Sequence, residues 1–170
     1  DPRIIMIGSI NSRLGVPLLG PYAASKHALA GLASSLRREL APAGPLVTLL
    51  EPGAVRTDIW PKGVDTVARL ERSLPAEALQ RYGSYVASQR VHLRDGDHRG
   101  IAPSAVAAVI EASVRSRRPR ARQLVGRDAQ IGGALARLLP DRAMDVLFAA
   151  LHRRALRSAA KPEAPLSVQG

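Results

Sequence analysis

A chain of 170 residues suffices for one domain with its own core. It has no cysteine, which excludes disulfides, thiolate metal sites and a thiol nucleophile, and its 3% of aromatic residues are too few for the stacking platforms of single-strand nucleic-acid binders. Lys and Arg number 25 against 14 Asp and Glu, giving a net charge of +11. The excess is concentrated in residues 90–161, where fifteen basic residues face six acidic ones. Such a half can attract nucleic acid, anionic lipid or phosphate ligands, or it can be a solvated arginine-rich surface. No apolar run reaches the roughly 18–20 residues needed to span a bilayer. The amino terminus, Asp1-Pro2-Arg3 before Ile4-Ile5-Met6-Ile7, lacks the charged lead and length of an export signal, so a cytoplasmic location is expected. It also lacks an initiator Met, and the chain reads as cut from something longer.

Arg3–Gly8 is a short unbroken apolar run, expected to be a strand buried on both faces of a parallel sheet. Residues 9–20 form a loop rich in Gly, Pro and Ser. Pro21 suits the first turn of a helix, and the spacing predicts that helix to about Ala41, with Ala24, Ala28, Leu32, Leu36 and Leu40 as its apolar stripe. Pro42 and Gly44-Pro45 stop it. Leu46–Leu50 is a second buried strand, ended by Glu51-Pro52-Gly53, so residues 3–50 make one βαβ unit.

Two helices are expected near 64–74 and 75–93, followed by a polar loop, Arg94 to Gly100. Trp60, Tyr82 and Tyr85 fall in this segment and are read either as core packing or as the lining of a substrate pocket. Pro103-Ser104 opens a helix to about Ser116, Ala121–Gly126 is a third strand, and helices follow at 128–139 and 141–157. Residues 158–170 read as a flexible tail. The Arg115, Arg117, Arg118, Arg120 and Arg122 cluster reads as a solvated helix end, with cations at the negative pole of the dipole. His27, His92, His98 and His152 show no metal-ligand spacing, and no metal site is expected.

Tyr22 and Lys26 lie four apart at the start of a helix, which puts both on one face. A free phenol titrates near pH 10 and is a poor acid–base group at neutral pH. A nearby ammonium favours its phenolate form and brings it closer to the range that general acid–base work needs. Ser9 stands at the carboxyl end of the first strand, the edge where open parallel sheets bind ligands. The next strand ends at the same edge in Pro52-Gly53-Ala54-Val55-Arg56-Thr57. There Gly53 lets the backbone approach a ligand, Val55 offers backbone polar groups to a planar amide, and the Thr57 hydroxyl can reach a phosphate.

In order and spacing, Gly8-Ser9, Tyr22-Ala23-Ala24-Ser25-Lys26 and Pro52-Gly53-Ala54-Val55-Arg56-Thr57 resemble the short-chain dehydrogenase/reductase family. The resemblance covers residues 3–157. Leu32–Leu40 and Glu51-Pro52-Gly53 look like its subset acting on steroids, retinoids and other lipid-like alcohols, and residues 121–157 look like that subset's carboxyl extension. The resemblance implies an NAD- or NADP-dependent oxidoreductase that interconverts a secondary alcohol and a carbonyl. Ser9 would orient the substrate oxygen, Tyr22 would handle the proton, and Lys26 would act on Tyr22 and bind the nicotinamide ribose. Pro52 and Gly53 would shape the cofactor loop, Val55 would contact the nicotinamide carboxamide, and Thr57 the carboxamide or pyrophosphate. The substrate would be a small hydrophobic alcohol or ketone.

No G-x-G-x-x-G turn for the pyrophosphate and no Asn-Asn-Ala-Gly strand occurs in this sequence. The expected fold is therefore α/β, a partial Rossmann-like parallel sheet of the last three strands with flanking helices, its amino-terminal half absent. The domain is expected over 1–157, with a substrate lid at 58–101 and a carboxyl helical extension at 127–157. Such a chain is expected to be inactive by itself. The alternative is a non-catalytic remnant or interaction module, with helix 21–41 as the surface for a homo-oligomer; neither a nucleic-acid partner nor a membrane span is expected.

Overall fold

The computed structural model describes residues 2–159. Its core is a three-stranded sheet of β1 (Arg3–Ile7), β2 (Leu46–Pro52) and β3 (Arg122–Val125), in the order β1-β2-β3. Both pairings are parallel, with Ile5 opposite Thr48 and Leu50 opposite Gln123. Parallel neighbours need long crossovers, and helices supply them. Helix α1 (Gly20–Leu40) connects β1 to β2. Helices α2 (Ile59–Ser73), α3 (Ala76–Arg99) and α4 (Pro103–Arg115) lie between β2 and β3, and α5 (Arg127–Leu138) and α6 (Asp141–Ala159) follow.

The burial expected for the first two runs holds for β2, buried from Val47 to Pro52. It does not hold for β1, which is half-buried and ends on an exposed Ile7, because a strand with one neighbour leaves its other flank open. Helix α1 packs on the sheet through Ala30 and Ala33, against Val47 and Leu49, with Leu29, Leu36 and Leu40 closing the edges of the cluster. The expected stripe is thus corrected: Ala24, Ala28 and Leu32 are exposed. Residues spaced four apart drift by about 40° per step around a helix of 3.6 residues per turn, so a stripe drawn at that spacing alone leaves the contact face.

Between β2 and β3 the structure departs further from the sequence reading. Helix α2 starts at Ile59, earlier than expected, and packs on α3, with the Glu71 carboxylate taking the Arg90 guanidinium. The polar segment 94–100 is helix to Arg99 rather than loop. Asp95 pairs with Arg99 one turn on, and Gly96, which reads as a turn residue, sits under the Trp60 ring where any Cβ would collide with the indole. Helix α6 lies against α3 and continues through residues 158 and 159, which were expected in the tail; residues 160–170 fall outside the described range. No helix among the described residues is long and apolar enough to cross a membrane.

Candidate active site

The carboxyl ends of β1 and β2 open onto one rim of the sheet. After β1 the chain enters a 3-10 turn, Ile10–Ser12, capped by Ser9. The buried Ser9 hydroxyl accepts the Asn11 N–H at 3.2 Å, and the Ser9 N–H donates to the Ser12 hydroxyl at 3.3 Å. In this reciprocal cap Ser9 Oγ serves as an acceptor, which leaves its own proton to donate.

Tyr22 occupies the first turn of α1, after Pro21, and is 43% exposed. One turn on, the Lys26 ammonium lies 5.6 Å from the centre of the Tyr22 ring, a cation–π distance, and donates to the Ile7 carbonyl at 3.4 Å. Ile7 is two residues from Ser9. Lys26 therefore ties the phenol-bearing face of α1 to the end of β1, two residues before the buried Ser9. The rim thus offers a phenol beside a fixed cation, with a hydroxyl donor two residues along the chain from the Lys26 contact.

At the end of β2, Pro52 is buried and the Gly53 N–H donates to the Val125 carbonyl at 3.0 Å, fastening the loop to β3. Asp128, in the first turn of α5, lies where a side chain at residue 53 would be, and accepts the Ala54 N–H at 2.6 Å. Gly53 is thus required by a carboxylate of the same chain. Val55 forms a parallel bridge with Ile101, made by the Arg56 N–H to the Ile101 carbonyl and the Ile101 N–H to the Ala54 carbonyl. The Val55 carbonyl accepts the Trp60 indole N–H at 2.6 Å. Thr57 is exposed just beyond.

The three aromatic residues of the 58–101 segment go to different places. Trp60 serves the Val55 loop and meets the His92 ring edge to face, with centroids 6.3 Å apart. Burial lowers the pKa of His92 from its ordinary 6.5, against the opposing pull of Asp95. Tyr85 stacks on His152 of α6, with centroids 4.4 Å apart, and lines a half-open groove of about 430 Å³. Val16, Pro17 and Leu18, from the loop between Ser9 and Tyr22, form another wall of that groove, Phe148 and Leu151 add to its apolar lining, and Asp95, Arg99 and Arg154 bring charge to it. Tyr82 is 49% exposed on α3. Leu18 has a φ of 65°, rare for a branched side chain, at the third position of a turn closed by the Leu19 N–H on the Val16 carbonyl.

Sequence reasoning did not single out Asp128 or Arg13, and its reading of Arg122 as part of a solvated helix end is corrected, since Arg122 lies in β3 and pairs with a buried carboxylate. Arg13 closes the Ser9 turn and makes a forked contact with the fully buried Glu51, its Nη2 2.6 Å from Oε2, and Arg122 of β3 reaches the same carboxylate. A buried carboxylate needs a cationic partner, so Glu51 inside a strand was the available signal.

A sequence model described as "short chain dehydrogenase" matches residues 2–67, the stretch that holds all three motifs. An NADPH-dependent 3-dehydrocapnine reductase of Ornithobacterium rhinotracheale is 31% identical over 86% of this chain and 49% of its own length. Human 17-beta-hydroxysteroid dehydrogenase type 1 is 29% identical over 71% of this chain and 36% of its own. Among solved structures, a short-chain dehydrogenase from Streptomyces avermitilis shares the fold with a TM-score of 0.56 and 21% identity, over 94% of this chain and 52% of that one. The chain spans about half the length of the reductase relative.

Proposed function

Because the chain belongs to the short-chain dehydrogenase/reductase family, we propose that it carries the reacting end of an NAD(P)-dependent oxidoreductase that interconverts a secondary alcohol and a carbonyl. The observation that carries this reading is the Lys26 ammonium, placed at once beside the Tyr22 ring and on the Ile7 carbonyl, two residues before Ser9. The nicotinamide supplies the hydride when bound. The chain's own residues supply the rest. Ser9 donates its proton to the substrate oxygen and orients it, Tyr22 gives or takes the proton at that oxygen, and Lys26 holds a positive charge where negative charge develops on the phenol.

The residues fit the nicotinamide half of the cofactor unequally. Tyr22 is exposed and Lys26 half-buried, and both can take a ribose hydroxyl; Thr57 is exposed at the end of the β2 loop. Of the Val55 backbone groups expected to meet the carboxamide, the carbonyl already holds the Trp60 indole, which a carboxamide bound at that oxygen would have to displace. The apolar walls of the groove at Leu18, Tyr85 and Leu151 favour a hydrophobic alcohol or ketone as substrate, with Asp95, Arg99 and Arg154 also on its lining. The absence of a Gly-rich turn from the sequence supports a chain inactive by itself.

The test is Tyr22→Phe in a protein that turns over. We expect a loss of at least about a hundredfold in kcat, with cofactor affinity within about threefold. Activity that survives the loss of the phenol hydroxyl overturns the assignment. A homo-oligomer through α1 is the second part of the reading, favoured by the open face of Ala24, Ala28 and Leu32.

A further inference from the structure

We propose that Glu51 and Arg13 form a positioning pair that holds the Ser9 turn on the central strand. This builds on the assignment of Ser9 as the residue that orients substrate. Glu51 is the one charged residue among the largest fully buried side chains, and the catalytic reading makes no use of it. Its carboxylate accepts from Arg13 Nε at 3.1 and 3.0 Å and from Arg13 Nη2 at 2.6 Å. Arg13 is the residue that ends the 3-10 turn begun by Ser9.

The turn is fastened at both ends to consecutive residues of one strand. At its start the Gly8 N–H donates to the Leu50 carbonyl at 2.7 Å, and at its end Arg13 grips Glu51. Between these anchors Ser9 and Ser12 cap each other. The position of the Ser9 hydroxyl relative to β2, and hence to Tyr22, follows from these two attachments. The first is ordinary backbone bonding. The second is a forked guanidinium–carboxylate contact, which fixes orientation as well as distance.

Arg122 provides the control. It reaches the same carboxylate from β3, with Nε 3.2 Å from Oε2, and so stands on a different element from the Ser9 turn. Losing either arginine leaves Glu51 paired with the other, so neither loss strands a buried charge. The two losses resemble each other in charge and differ only in the element released. A structural role in core stability predicts similar consequences for both, whereas a positioning role predicts that only the loss of Arg13 frees Ser9.

The experiment compares Arg13→Gln, Arg13→Lys and Arg122→Gln with the unaltered chain, by amide hydrogen exchange without cofactor or substrate. The reporters are the Ser12 N–H on the Ser9 carbonyl and the Arg13 N–H on the Ile10 carbonyl. We expect exchange there to rise about tenfold in Arg13→Gln, to rise less in Arg13→Lys, and to stay within about twofold in Arg122→Gln. Equal acceleration in the two glutamine variants, or none in Arg13→Gln, overturns the proposal. The same substitutions in a protein that turns over give a second readout, with kcat about tenfold lower in Arg13→Gln at a KM within about threefold. If exchange behaves as expected while kcat is unaffected in an active protein, Ser9 is not the orienting group and the catalytic assignment of Ser9 fails, not the holding role of Arg13.

Discussion

At the scale of single residues, the rim is shaped by contacts that sequence neighbours do not supply. Asp128 stands 74 residues from Ala54, yet its carboxylate takes that residue's N–H and occupies the space over Gly53. In sequence an acid in the first turn of a helix reads as a partner for the helix dipole, which hides the second role. Gly53 was legible as a point of close approach, but its neighbour proves to be a side chain of the chain itself. His92 makes a prediction at this scale. With its folded pKa below the ordinary 6.5, His92 resists protonation in the fold more than in the unfolded chain. Its contribution to stability is complete above pH 6.5 and is lost as the pH falls from there through the folded pKa. Thermal unfolding from pH 8 to 5 should show a Tm that declines below pH 6.5, and His92→Gln should flatten that part of the decline. An identical pH profile in the variant would assign the decline to other groups.

At the scale of elements, the βαβ unit was legible because its signals are local. Apolar runs mark β1 and β2, Pro21 marks the start of α1, and Pro42 its end. The helices between β2 and β3 were harder to bound because tertiary contact overrides local chemistry there. Segment 94–100 carries Asp95-Gly96, a turn signal, yet stays helical with Trp60 packed against the Gly96 backbone. The buried face of α1 was displaced for a different reason, since small alanines mark a contact stripe weakly and the sheet selected Ala30 and Ala33. Leu32 is left 51% exposed beside Ala24 and Ala28. If this face pairs with a second copy, Leu32→Glu should convert a dimer to a monomer in sedimentation while moving the thermal midpoint by no more than about 2 °C. A dimer that persists would place the interface elsewhere.

At the scale of the whole molecule, a parallel sheet of three strands was legible from short strand-like runs separated by helices, while its order β1-β2-β3 came from the structure. The Arg13–Glu51–Arg122 cluster was not legible, because it joins three elements whose proximity exists only in the folded sheet. The cofactor is where the chain as a unit is tested. Titration of NADPH into the purified chain should show no binding in the micromolar range, since no turn of its sequence is built to hold the pyrophosphate. Micromolar affinity would mean that the Tyr22–Lys26 rim and the Val55 loop suffice.

The outer margin of β1 carries one further implication. All three strands run the same way and end at the rim where Lys26 meets Ile7. Any additional strand laid alongside β1 in that common direction, from whatever source, would release its following loop at that same rim. Widening the sheet and building up the rim are then a single geometric event.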